Sequence, residues 1–106
     1  MVMRAQIWLA DFDKASGSVK RESWPCVIVS PDEMNAHLNS VLAAPMSSSE
    51  LPAPFRIPVT HTKKQGLILL DQICTIDKSR LIRKLGTVTD QTMAEVLDVL
   101  QEIFTQ

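Results

Sequence analysis

Two features of this chain invite a chemical reading: a tract of serines and a block of cations. Ser47-Ser48-Ser49 directly follows the apolar run Val41-Leu42-Ala43-Ala44-Pro45-Met46, so its hydroxyls sit where a strand gives way to a loop. No Gly-x-Ser-x-Gly elbow surrounds them, which excludes a hydrolase nucleophile of that type. On composition alone the tract reads as a flexible loop. Arg56, Lys63, Lys64, Lys78, Arg80, Arg83 and Lys84 form a basic middle opposed only by Asp71 and Asp77. The last segment holds Asp90, Glu95, Asp98 and Glu102 and no cation, and the net charge is −1. This distribution fits one surface facing a polyanion and one facing solvent, and it fits equally two solvated faces.

Other chemistries lack their residues. The 3 glycines are isolated, so there is no glycine-rich phosphate loop. His37 and His61 are too few and too separated for a metal site and read as surface side chains. Cys26 and Cys74 lie in apolar runs far apart, without zinc-knuckle or Cys-x-x-Cys spacing, and read as buried free thiols. No metal or cofactor is expected.

The elements that must carry these groups are short. Gln6–Phe12 and the run from Pro25 to Ser30 read as strands, Pro25 standing at the first position of its strand. Lys14–Ser23 reads as a loop, and Ser30-Pro31-Asp32-Glu33 as the start of a turn or a short helix through Asn35. Val41–Met46 is a third strand. Phe55, Ile57 and Val59 alternate with polar or proline positions, which predicts a half-buried strand kept near an edge by Pro58. Thr60–Gln65 reads as a polar turn ending at Gly66, Leu67–Leu70 as a buried strand, Asp77–Leu81 as one helical turn and Leu85–Val88 as a last strand. From Thr89 the period changes. Met93, Val96, Leu97, Leu100, Ile103 and Phe104 recur at three- and four-residue steps, an amphipathic helix with Thr89 as its N-cap. Six or so short strands and a terminal helix predict a mainly β fold, a small, strongly curved barrel or half-open sheet with the helix packed over an open side.

A chain of 106 residues is expected to form one domain over 1–106, with an apolar fraction of 45% and mean hydropathy of +0.06 typical of a globular protein. No apolar run approaches the ~20 residues of a membrane span, and Met1-Val2-Met3-Arg4-Ala5-Gln6 does not open like a secretory signal. A cytoplasmic location without membrane contact follows as the expectation.

Several segments, in one register along nearly the whole chain, resemble the MazF/PemK toxins of bacterial toxin–antitoxin modules. Arg4-Ala5-Gln6-Ile7-Trp8 matches the ends of their Arg-Gly-Asp-Ile-Trp opening but lacks its middle pair, and Gly17-Ser18 matches a Gly-Ser before a polar loop. Pro25–Ser30 matches a Pro-Val-x-Val-Val-Ser strand, and Ala43–Ser49 a Val-Ala-Pro-Ile-Thr-Ser-Ser strand end. Ile68–Asp77 matches a Val-Leu-Leu-Asp-Gln-Ile-Arg-Thr-Ile-Asp segment except at Cys74, and Leu85-Gly86 and the helix complete the pattern.

The resemblance implies an SH3-like barrel that dimerises and cuts single-stranded RNA without a metal. Attack by the ribose 2′-hydroxyl would leave a 2′,3′-cyclic phosphate and a 5′-hydroxyl. It implies as partner a small antitoxin that lays an acidic, disordered segment into a basic groove. Ser47 stands at the family's catalytic threonine and keeps the hydroxyl. Trp24 stands at its catalytic arginine, and losing a charge-stabilising donor costs ~100–1000-fold in rate. Arg21, with Lys20 assisting, is the candidate replacement; Lys63 or Lys64 across the groove is another. Trp24 either stacks on an unpaired base, worth ~1–3 kcal/mol, or packs beside Pro25. Ser18, Ser48, Asp71 and Gln72 are placed with the RNA-binding set, the last two as readers of base edges, while Cys74 removes a groove cation. Two alternatives stand beside the nuclease: a family member that binds RNA or antitoxin without cutting, and, less well matched, a gyrase poison of the CcdB type.

Overall fold

A computed structural model of the chain describes residues 1–12 and 22–105. Seven strands and two helices follow in the order β1 (Gln6–Phe12), β2 (Glu22–Ile28), α1 (Asp32–His37), β3 (Ser40–Ser47), β4 (Arg56–His61), β5 (Lys64–Leu69), β6 (Cys74–Asp77), β7 (Leu81–Thr87) and α2 (Asp90–Ile103). Turns of 3-10 helix, Leu70–Gln72 and Lys78–Arg80, flank β6. Every strand pairing is antiparallel, in the order β4-β5-β3-β2-β1-β7 with β6 also on β3. The sheet curls into the small half-open barrel expected, with α2 packed against it.

β3 organises the sheet. One of its edges carries β2 through Ala43, Ala44 and Pro45. The other is divided, with β6 along Ser40–Ala43 and β5 along Met46 and Ser47. Pleating sorts the residues onto two faces. Ile7, Val27, Ala44, Met46, Ile57, Ile68 and Leu70 form the larger buried cluster, closed by Met93 and Val96 of α2. Ala10, Cys26, Ile28, Val41, Ala43 and Ile76 form the second on the opposite face. Between β2 and β3, Asn35 of α1 is fully buried; its Nδ2 donates to the Ser30 carbonyl at 3.1 Å and its Oδ1 accepts from Ser30 Oγ, which itself accepts from Leu42 N at 3.0 Å. These bonds satisfy the polar groups of a helix too short to stand alone.

The structure corrects several expectations. Pro25 is not the first residue of its strand but lies inside β2, paired with Leu9; the β3 ladder begins only at Cys26, so the missing N–H falls where one side is open. The expected loop through Ser23 therefore ends earlier. The turn expected over Thr60–Gln65 is a two-residue connection, Thr62-Lys63, because His61 already pairs with Lys64. Both turn residues have positive φ, 49° and 65°, as a type I′ hairpin requires. Gly66 is consequently a strand residue, and an added Cβ would come within 3.1 Å of the Ser47 carbonyl oxygen. β7 starts four residues before the strand expected at Leu85. The α2 boundary holds, Thr89 Oγ1 accepting from Thr92 N at 3.1 Å, but Ile103 and Phe104, placed on its apolar face, are 43% and 74% exposed. Their turn runs past the packed stretch that Met93 and Val96 anchor.

Both cysteines are free, Cys26 buried and Cys74 half-buried. Burial, helped by proximity to Cys74, pushes the Cys26 thiol up to about 12. Because the folded value lies above the ordinary one near 8.5, folding stability is unaffected at lower pH and falls as pH rises from there towards 12. Urea unfolding midpoints should decline between pH 8.5 and 10.5, and Cys26→Ala, although less stable, should lose part of that slope.

Ala5, which stands where the family pattern has glycine, adopts φ 77° and joins two bonds, its N–H to the Ile28 carbonyl and its carbonyl from Val88 N, both 2.9 Å. A left-handed conformation costs an L-residue roughly 1–2 kcal/mol. Ala5→Gly should therefore stabilise the fold by ~1 kcal/mol in urea denaturation.

Candidate active-site cleft

Ser47 ends β3, where the ladder to β5 brings Leu67 and Gly66 alongside. Trp24 stands on β2 two residues before Cys26, whose pairing with Pro45 ends the β2–β3 ladder. Ser47 and Trp24 share a cleft of about 490 Å³ with Pro25, Ser48, His61, Lys64, Gln65 and Arg83. Trp24 is 40% exposed, so its indole forms an open wall of the cleft beside Pro25 and does not fill a core. Ser47 Oγ accepts from Ser49 N at 3.2 Å and lies 3.2 Å from Ser49 Oγ, which fixes the hydroxyl at the mouth.

A second and larger cleft, about 830 Å³, opens on the other side of the same seam and is lined by Glu50, Thr60, Gln65, Thr87 and Thr92 among others. Ser47, Ser48, His61, Gln65 and Gly66 line both. The serine tract is thus no free loop: its first residue is held in the sheet, at the junction of two openings.

Of the residues singled out in the sequence, Trp24, Ser47, Ser48 and Lys64 come together here. Lys63 forms the hairpin tip outside both clefts. Asp71 and Gln72 lie in the 3-10 turn after β5, away from Ser47. There the Asp71 carboxylate accepts from Arg56 Nε at 3.2 Å and Nη2 at 3.1 Å, while Arg56 Nη1 donates to the Leu51 carbonyl at 2.8 Å. Arg21, Lys20 and Ser18 lie outside the described residues. Cys74 belongs to a third cleft with Asp11, Asp77 and Arg80, distinct from the one at Ser47.

Two lining residues escaped the sequence reading. Arg83 enters from β7, which pairs with β1 such that Arg83 and Pro25 flank Leu9 from opposite sides. His61, expected at the surface, is half-buried, and its Cε1 would lie 3.0 Å from a Cβ added at Gly86. Only closure of the barrel brings β4 and β7 to one place, so neither residue had a local signal.

The basic block is divided by the fold. Arg56 is committed to Asp71, and Lys78 Nζ donates to the Asn35 carbonyl. Lys64 and Arg83 alone of the block line the cleft at Ser47. No group of three or more metal-ligating side chains occurs among the described residues, and no described helix is long and apolar enough to cross a membrane.

This curled barrel with its C-terminal helix is the fold of the MazF-type toxins. Residues 3–104 match the family described as PemK-like, MazF-like toxin of type II toxin-antitoxin system. The chain belongs to that family. It is 32% identical over 102 residues to the endoribonuclease MazF of Staphylococcus saprophyticus, covering 91% of this chain and 85% of that one. A mycobacterial endoribonuclease solved in complex with its cognate antitoxin superposes with a TM-score of 0.79 at 25% identity, over 96% of this chain and 93% of that one. The MazE–MazF complex of Deinococcus radiodurans gives 0.82 over 96% and 94%, at 22% identity, a likeness of fold.

The hydrogen bonds from Arg56 hold the Asp71 carboxyl below the usual carboxylate range. A depressed value stabilises the fold above the ordinary carboxylate pKa and loses that contribution as pH falls through the folded value. NMR titration of the Asp71 carboxyl should show its midpoint below the ordinary range, returning towards it in Arg56→Gln.

Proposed function

We propose that this toxin is a metal-independent endoribonuclease of the cytoplasm that cuts single-stranded RNA. The observation that carries the reading is the cleft that Ser47 shares with Trp24, Lys64 and Arg83. The family match and the relatives named as endoribonucleases support it.

In this reaction the 2′-oxygen loses its proton and bonds to phosphorus, while the bond from phosphorus to the 5′-oxygen breaks. The products are a 2′,3′-cyclic phosphate and a 5′-hydroxyl, and DNA is no substrate. Ser47 donates a hydrogen bond to a phosphate oxygen as negative charge accumulates there. Trp24, a neutral donor at the family's arginine position, supplies a flat surface for a base. Positive charge comes from Lys64 and Arg83 in the cleft and from Arg21 and Lys20 of the segment leading into β2. Ser18 and Ser48 add hydroxyl contacts to the backbone. Asp71, Gln72 and Lys63 serve RNA bound beyond this cleft, in a groove completed by a second subunit.

The active unit is accordingly a homodimer of single-domain chains. A small antitoxin neutralises it by laying an acidic, disordered segment along the same cations; an antitoxin partner is supported by the structural neighbour solved with its cognate antitoxin. One observation favours a second reading, binding without cutting: the indole where the family carries a guanidinium.

Incubation of the purified protein with a long unstructured RNA in EDTA, followed by mapping of the new ends, separates the two. Discrete cuts bearing 5′-hydroxyls, absent on matched DNA, are expected. Ser47→Ala should lower the rate ~100-fold, and Arg21→Ala should also slow it. A folded protein that binds the RNA and leaves it intact would establish the binding reading.

A further inference from the structure

The cleft contains hydrogen-bond donors and cations in abundance, but the proposed reaction also requires a group that accepts the 2′-hydroxyl proton. Four ionisable residues line the two openings at Ser47: Lys64 from β5, Arg83 from β7, Glu50 from the loop after β3, and His61 from β4. Lysine and arginine side chains are ordinarily protonated at neutral pH and serve there as charges. Glu50 is exposed and reaches only the larger cleft. Imidazole is the side chain that exchanges a proton near neutrality.

Three structural facts aim His61 at the seam. It is the last residue of β4 and pairs directly with Lys64 across the two-residue turn, so both side chains leave the same face. The ring rests against Gly86 of β7, where the absence of a Cβ leaves room for its Cε1–Nδ1 edge. It lines both clefts together with Ser47 and Ser48, and among the described residues no hydrogen bond or ion pair engages its ring.

We propose that His61 is a catalytic residue, its neutral imidazole taking the proton of the attacking ribose 2′-hydroxyl. The inference rests on the ribonuclease reading and adds the base that reading lacks. The 2′-oxygen transfers its proton to the ring and bonds to phosphorus. The bond to the 5′-oxygen breaks with its electron pair, that oxygen takes a proton from water, and the imidazolium returns its proton to solvent. The charged groups lining the openings around the ring are Lys64 from β5, Arg83 from β7 and Glu50 of the loop after β3.

The test is the rate of cleavage at one mapped RNA site from pH 5 to 9, for the wild type, His61→Gln and Ser47→Ala. The wild-type rate should rise with pH and level off across the range in which imidazoles exchange a proton. His61→Gln should lower kcat ~100-fold or more, leave KM nearly unchanged and abolish the pH-dependent limb. Ser47→Ala should slow cleavage and keep the limb. A His61→Gln variant that cuts within a few-fold of wild type on the same profile overturns the assignment. So does a wild-type profile without the limb, which needs no variant to fold. A wild type that cuts no RNA at any pH overturns the ribonuclease reading itself, a result distinct from either.

Discussion

The shared edge of β3 governs the architecture. A single eight-residue strand, Ser40–Ser47, serves β2 along one side and two successive partners along the other, β6 first and β5 after it. A strand can satisfy two different neighbours on one edge only if the sheet bends between them. The bend falls at Ala43-Ala44-Pro45, where the small side chains of both alanines are fully buried, one in each apolar cluster. Larger residues there would hold the β2 and β5 sides apart, and close-packed interiors have no slack to absorb them. Everything distal to the bend follows β3 around, including the β4–β5 hairpin and the cleft at its end.

This geometry gives the site its rigidity. Ser47 is a strand residue, its carbonyl approached so closely by β5 that a Cβ at position 66 would lie 3.1 Å from the carbonyl oxygen, a tight contact. Trp24 sits one pleat beyond the last β2–β3 pair, and His61 immediately before a turn whose two residues both take positive φ. Functional groups held on strands keep the fixed relative positions that catalysis needs, better than groups on loops do. The strained, β-branched Thr62 in that turn is part of the same arrangement, because a two-residue connection is what keeps His61 and Lys64 paired.

Legibility in the sequence followed the strength of local signals. β1, β3 and the start of α2 were readable because β-branched runs, alternation and a change of period are local, and Thr89 advertised its cap. The β4–β5 turn was misplaced because Thr62-Lys63 carries none of the Asn or Gly that such turns favour, while Gly66 offered a false one. The first half of β7 was missed because Arg83 and Lys84 read as polar connection, and only pairing with β1 makes them strand. Within the site, Ser47 and Trp24 were legible through resemblance to family segments. His61 and Arg83 had no such segment, and their relation to Ser47 exists only once the barrel closes.

Closure also sets where an anionic chain presents positive charge. At a net charge of −1 the whole molecule provides no long-range attraction. The fold instead spends Arg56 on Asp71 and Lys78 on a helix carbonyl, both structural uses, and brings Lys64 and Arg83 from different strands to the cleft that Ser47 shares with Trp24. Two local cations of that kind act over roughly one Debye length, ~8 Å at physiological salt, which is the scale of a single bound phosphate. The exchange of a guanidinium for the Trp24 indole fits this economy of charge. In the proposed reaction the indole offers a base a stacking surface, while charge on the phosphate is met by Lys64 and Arg83. Under the proposed function, orientation and charge stabilisation, joined in one arginine in the family pattern, are divided between β2 and the β5 and β7 walls of the barrel.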